Sequence, residues 1–256
     1  MRLGIVLLSV VTLAVATPAR AQEFDAPGSD IIPQTAGCTY TFTSGSGASL
    51  FTWCLSTGGN VVRFITPAGQ NHIFAEQDGY AVCSAAGVHG SDLGTVIPVA
   101  FGPPTVLAGC TAGSSCTIQR DTTDGAFRLV QKFTRTVKEF ELNVDHTLTN
   151  ISGGTIDDVV LMRFAHFGVD NDIGDDRGDR SPRSGWMADV ERLGLTAHTT
   201  TQPADTFIIN NFPTGCVGPA VATPAPPGNY AVQVNYRLGN MASLKKKVVR
   251  VQYRRD

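Results

Sequence analysis

Apolar and polar residues alternate with a period of two along most of the chain. No stretch holds apolar residues at i, i+3, i+4 and i+7 for three turns, so the pattern predicts strands throughout. The clearest is "VKEFELNVDHTLT", where Phe140, Leu142, Val144, His146 and Leu148 share one face and Glu139, Glu141, Asn143, Asp145 and Thr147 share the other. One face is dry and one is wet. After the turn "NISGGTID", Val159 to Val169 is apolar on both faces, as in a central strand covered by two layers.

Further strands are predicted over 38–43, 50–56, 60–66, 127–134, 193–200, 206–210, 230–238 and 247–253, with turns such as "TPAGQN", "FGPPT" and "TPAPPGN" between several of them. Many short strands with Gly/Pro-rich turns predict an all-β fold, an antiparallel β-sandwich or barrel. The one place where a helical turn or two is expected is "GWMADVERLG". There is no internal repeat and no long linker, so one domain is expected.

The first residues change the picture of where the chain works. Arg2 precedes an apolar stretch from Leu3 to Ala16, followed by Pro18 and the small-x-small site Ala19, Arg20, Ala21, the pattern of a secretory signal peptide over 1–21. The mature chain, 22–256, then has 235 residues with 18 basic and 22 acidic side chains, a formal charge of -4. No nucleic-acid partner is implied. The basic run "LKKKVVRVQYRRD" reads as a charged edge strand. No later segment reaches the roughly 20 apolar residues of a spanning helix, so a secreted or periplasmic protein without a transmembrane segment is expected.

All six cysteines, Cys38, Cys54, Cys83, Cys110, Cys116 and Cys216, follow the signal, which in an exported chain predicts three disulfides. Cys110 and Cys116 bracket "CTAGSSC", and Cys38 and Cys54 flank a candidate hairpin, leaving Cys83 and Cys216. Six cysteines admit fifteen connectivities, and only Cys110–Cys116 stands out by spacing. No C-x-x-C pair points to a metal.

Established catalytic signatures are absent: there is no G-x-S-x-G elbow, no H-E-x-x-H and no phosphate-cradling glycine loop. A Ser/His/Asp triad is recognised by geometry, so spacing leaves it open. The five histidines are scattered. His146, among apolar neighbours, reads as a hydrogen-bonded core residue, whereas His166 ends its strand just before a run of aspartates. Arg163, inside the same apolar strand, needs a buried carboxylate or a ligand such as an anion or sugar.

Asp170, Asp172, Asp175 and Asp176 fail the EF-hand pattern, because Gly174 falls on a ligand position and Ser181 on that of the bidentate glutamate. An irregular loop can still hold Ca2+. The competing reading is a solvated loop laced by Arg177, Arg180 and Arg183. The loop also contains Arg177, Gly178, Asp179, the tripeptide of integrin ligands, and Asn150, Ile151, Ser152 is a glycan-acceptor sequon.

Three stretches carry a resemblance: "GNVVRFITPAGQNHI" before "DGYAVCS", "RDTTDGAFRLVQKF" leading into "FELNVDHTLTNISGGTIDDVVLMRFAHFGVDND", and "YRLGNMASLKKKVVRVQYR". Their order resembles a group of exported bacterial proteins of unknown function. The strand, Asn-containing turn and strand bearing His166 and Phe167 are more loosely similar to the galactose-mutarotase-like supersandwich. That resemblance implies stacked antiparallel sheets with a sugar received on a concave face, and in active members a histidine acid and a glutamate base. Only His166 matches, since Glu76, Glu139, Glu141 and Glu191 lack the family's surroundings. The expectation is a non-catalytic binding protein whose partner is a glycan or another cell-envelope component. The rivals are a sugar-active epimerase or lyase relative with Arg163 and His166 in its pocket, and a calcium-stabilised structural domain.

Overall fold

The computed structural model describes residues 37–67, 69–93, 100–111, 113, 115–136, 140–169, 176–189, 192–198, 202–210, 213–218 and 220–256. The expected signal peptide, 1–21, lies outside them. In chain order the strands are β1 (Tyr40–Ser44), β2 (Phe51–Leu55), β3 (Val61–Ile65), β4 (Ile73–Ser84), β5 (Gly87–Asp92), β6 (Thr105–Gly109), β7 (Ser115–Asp121) and β8 (Phe127–Arg135). Then follow β9 (Glu141–Asn150), β10 (Ile156–Phe167), β11 (Arg177–Ser181), β12 (Ser184–Ala188), β13 (Arg192–Ala197), β14 (Ala204–Ile209), β15 (Ala231–Met241) and β16 (Lys246–Arg255).

They form three antiparallel sheets, ordered β1-β2-β3, β14-β15-β10-β4-β5 and β11-β12-β13-β16-β9-β8-β7-β6. The five- and eight-stranded sheets pack as a sandwich around one apolar core, which Leu142, Val144 and Leu148 enter from β9 and Leu161, Ala165 and Phe167 from β10. The small sheet joins the same core, with Trp53 stacked on Phe133 and Phe64 on Tyr253, each pair 6.5 Å apart. Disulfides link Cys38–Cys54, Cys83–Cys216 and Cys110–Cys116. No helix among the described residues is long and apolar enough to cross a membrane.

Several expectations are corrected. The segment expected to turn helically over 185–194 contributes to strands β12 and β13, because Gly185 and Met187 point inward while Trp186 points out, the two-residue alternation of a sheet. The basic C-terminal run is not an edge: β16 lies between β13 and β9, burying Val249, Val251 and Tyr253, while Arg250 pairs across the outer face with Asp145 at 2.6 Å. The Arg-Gly-Asp tripeptide lies within β11, where its backbone pairs with β12. Asn150 is fully buried and donates to the carbonyls of Gly154 and Met241 at 2.8 and 2.7 Å, so the sequon asparagine closes a turn from inside. His146 is buried as expected, yet neither ring nitrogen makes a well-formed hydrogen bond among the described residues, the Val144 backbone being only a weak partner.

Candidate functional site

Alternation along β10 sends Leu161, Arg163, Ala165 and Phe167 into the core between the sheets, and Met162, Phe164 and His166 to the other face of the five-stranded sheet. Arg163 and His166 therefore project from opposite faces and do not share a pocket. Three residues is an odd step on a strand of period two.

Arg163 is 1 % exposed and spends its donors inside the sandwich. Its Nη2 donates to Asp78 Oδ1, its Nε donates to the Tyr253 hydroxyl at 2.7 Å, and Nη1 reaches Gln131 Oε1 at 3.0 Å. Asp78 also accepts from the Val61 amide at 2.7 Å and from the Tyr253 hydroxyl. Burial pushes the Asp78 carboxyl up to about 7, against the pull of Arg163, Tyr253 and Val61. A second buried pair continues the network: Arg120 donates to Asp92, whose other oxygen accepts from Asn60 at 2.7 Å, and to the Tyr80 hydroxyl at 3.0 Å. A guanidinium committed in this way holds the two sheets in register and is closed to a ligand.

His166 stands elsewhere. The side-chain amide of Gln77 on β4 bonds its Nδ1, and that of Asn229, in the turn before β15, bonds its Nε2. The imidazole is 8 % exposed, Gln77 9 %, and Asn229 lies open to solvent above them. Burial pulls the His166 pKa down to about 4, with the Asn229 bond opposing it weakly, so the ring is neutral near pH 7. A neutral imidazole donates at one nitrogen and accepts at the other, so one of the two amides must present its NH2. On the same side of the sheet Met162 and Phe164 join Ala81, Leu93 and Ile209 in a second apolar cluster, which is itself buried. Buried Gln233 and its neighbour Asn235 donate their amides to the Cys216 carbonyl at 3.1 and 2.9 Å.

Asp170, Asp172 and Asp175 lie outside the described residues. Asp176 is fully buried; its Oδ2 accepts from the Val169 amide at 3.0 Å and its carbonyl from the Gly228 amide at 2.9 Å, which ties 169, 176 and 228 together beside the His166 turn. Among the described residues no group of three or more His, Cys, Asp or Glu side chains is placed to hold a metal. Sequence reading missed Gln77 and Asn229, since 89 and 63 residues separate them from His166 and neither sits in a motif.

No family model matches the chain, and no curated protein matches it by sequence. Its fold is similar to that of several solved structures. A putative aldose 1-epimerase from Escherichia coli K12 aligns with a TM-score of 0.56 at 10 % identity, over 84 % of this chain and 98 % of its own. A galactose mutarotase-like protein from Lactobacillus casei aligns at 0.51 and 10 % identity, over 84 % of this chain and all of its own. A bacterial glucoamylase complexed with acarbose aligns at 0.59 and 10 % identity over 85 % of this chain, which spans 32 % of the glucoamylase. At such identity the likeness is one of fold, the mutarotase-like sandwich.

Proposed function

We propose that the chain is an exported carbohydrate-binding protein, a single domain over 22–256, that takes a saccharide on the outer face of its five-stranded sheet at His166, Gln77 and Asn229 and does no chemistry on it there. The observation that carries this reading is a neutral imidazole set between two side-chain amides, one of which, Asn229, is open to solvent. Such a trio offers donors and acceptors in alternation, the complement of neighbouring sugar hydroxyls. The fold likeness to an aldose 1-epimerase and a mutarotase-like protein supports a sugar as ligand and carries no activity with it. An envelope glycan is the partner this reading favours.

The rival enzyme reading needs a base opposite His166. Arg163 cannot complete that pocket from the other face, and Glu141 is engaged on the outer face of the eight-stranded sheet by Thr136 and Gln252. Screening the wild type on a glycan array and in a mutarotation assay tests the proposal. The expected result is binding without turnover. Anomer interconversion that disappears in His166→Ala would replace the binding protein with an enzyme.

A further inference from the structure

Ser84, the last residue of β4, His89 on β5 and Asp124 in the β7–β8 turn form a continuous relay. Ser84 Oγ lies 2.7 Å from His89 Nε2, and His89 Nδ1 lies 2.7 Å from Asp124 Oδ2. We propose that this trio is a serine-nucleophile site that hydrolyses short-chain acyl esters, separate from the His166 face and independent of the sugar reading.

Three features of the backbone aim the trio. The β4–β5 ladder pairs Val82 with Gly90 and Cys83 with Val88, so His89 is the extra residue of a bulge, which turns its ring toward Ser84. Gly90 has no side chain where a Cβ would stand 2.8 Å from the Phe101 ring and 2.9 Å from Thr122 Cγ2, so the Asp124 turn can close onto the strand. The Cys83–Cys216 disulfide fixes the residue before the serine. The Phe127 ring meets the imidazole edge-on at 5.0 Å and holds its plane.

The protons run in the required sense. Ser84 Oγ accepts from the Ala86 amide at 3.1 Å, which leaves the hydroxyl proton to donate to Nε2. Nδ1–H then donates to Asp124, whose other oxygen is held by the Thr122 hydroxyl at 2.6 Å and the Ala126 amide at 2.9 Å. Burial raises the Asp124 carboxyl, but these bonds and His89 together hold it below the usual carboxylate range, so it stays an anion facing the ring. Asp124 is a positioning residue, and Ser84 and His89 are the catalytic pair.

In the reaction Oγ attacks the ester carbonyl carbon as its proton passes to Nε2. The tetrahedral adduct collapses, the bond to the alcohol oxygen breaks, and Nε2 returns the proton to the departing alcohol. Water then attacks acyl-Ser84 with Nε2 as base, releasing the carboxylic acid and restoring the hydroxyl. The Ala86 amide bonds Oγ, the attacking atom, and not the position of the oxyanion, which predicts modest rates on unactivated esters. Residues 85–88 are exposed, so the acyl group is met at an open hairpin tip, which suits an acetyl group carried on a bulky alcohol.

The test uses the mature protein with p-nitrophenyl acetate and a fluorophosphonate probe. Expected results are a one-to-one phosphonyl adduct on Ser84 and ester hydrolysis that falls at least about a hundredfold in Ser84→Ala and His89→Ala. Asp124→Asn keeps the acceptor for Thr122 and Ala126 but reverses the imidazole tautomer, so it should lose turnover at an unchanged melting temperature. An unlabelled Ser84, or wild-type hydrolysis no faster than that of Ser84→Ala, would overturn the proposal and leave the trio as a clasp between hairpin and turn.

Discussion

Arg163 and Asp78, 85 residues apart in sequence, form an ion pair at the centre of the sandwich, the first 1 % and the second 0 % exposed. Asp78 and Arg163 come from neighbouring strands of one sheet, and Tyr253, which bonds both, comes from the other. Removing one partner strands the other charge where water cannot reach it. Arg163→Met should therefore cost about 3–5 kcal/mol, while Arg163→Met combined with Asp78→Leu should recover much of the loss. Urea unfolding of the two single variants and the double variant closes the cycle.

The buried histidines make the fold sensitive to acid. Burial takes His146 down to about 3, with the nearby Arg163 charge adding to the effect, and His166 down to about 4. Both folded values lie below the unfolded value near 6.5, so the unfolded chain binds protons first. Their contribution is complete above pH 6.5 and is lost as pH falls toward 4 for His166 and 3 for His146, by about 1.4 kcal/mol per pH unit for each. Asp78 titrates in the opposite sense but is common to wild type and variant. His146→Leu should accordingly flatten the dependence of stability on pH between 6.5 and 4 by about that slope. Denaturant midpoints across the range measure it.

The three disulfides should differ in worth. Cys83–Cys216 closes a separation of 133 residues and Cys110–Cys116 one of 6, which chain-entropy scaling converts to about 5 and about 2 kcal/mol. The paired Cys→Ala replacements, compared by chemical denaturation, should fall in that order.

Asp176 serves the protein's own backbone through the Val169 and Gly228 amides. Asp176→Ala should lower stability by about 1–3 kcal/mol, since a buried amide loses its acceptor. The drop in calorimetry should be the same in chelator as in excess calcium. A loss seen only with calcium would instead assign the aspartates to a metal.

What the sequence made legible was whatever alternates cleanly. β9 and β10 were read from their apolar spacing, and the central place of β10 from its two dry faces. β4 escaped because Gln77, Asp78 and Gly79 interrupt its pattern, and the partners that make a buried Asp78 tolerable lie on β10 and β16, far along the chain. The Arg/Gly/Asp stretch of β11 looked like a loop, because strand pairing to β12 draws on backbone groups that the side chains do not advertise. The site was half visible. His166 was marked by its place at the end of a strand, but which face it takes follows from strand parity, and that parity separates it from Arg163. Gln77 and Asn229 carry no signal until the fold brings them to the ring.

Saccharide binding at His166, Gln77 and Asn229 can be read residue by residue in a two-dimensional NMR titration of the mature protein with a saccharide identified on the array. Shifts should concentrate on the His166 ring nitrogens and on the Gln77 and Asn229 side-chain amides, with affinity falling at least tenfold in Asn229→Ala, the loss of about 1.4 kcal/mol or more. Saturable binding whose shifts leave those three side chains unmoved, or affinity untouched in Asn229→Ala, would contradict it.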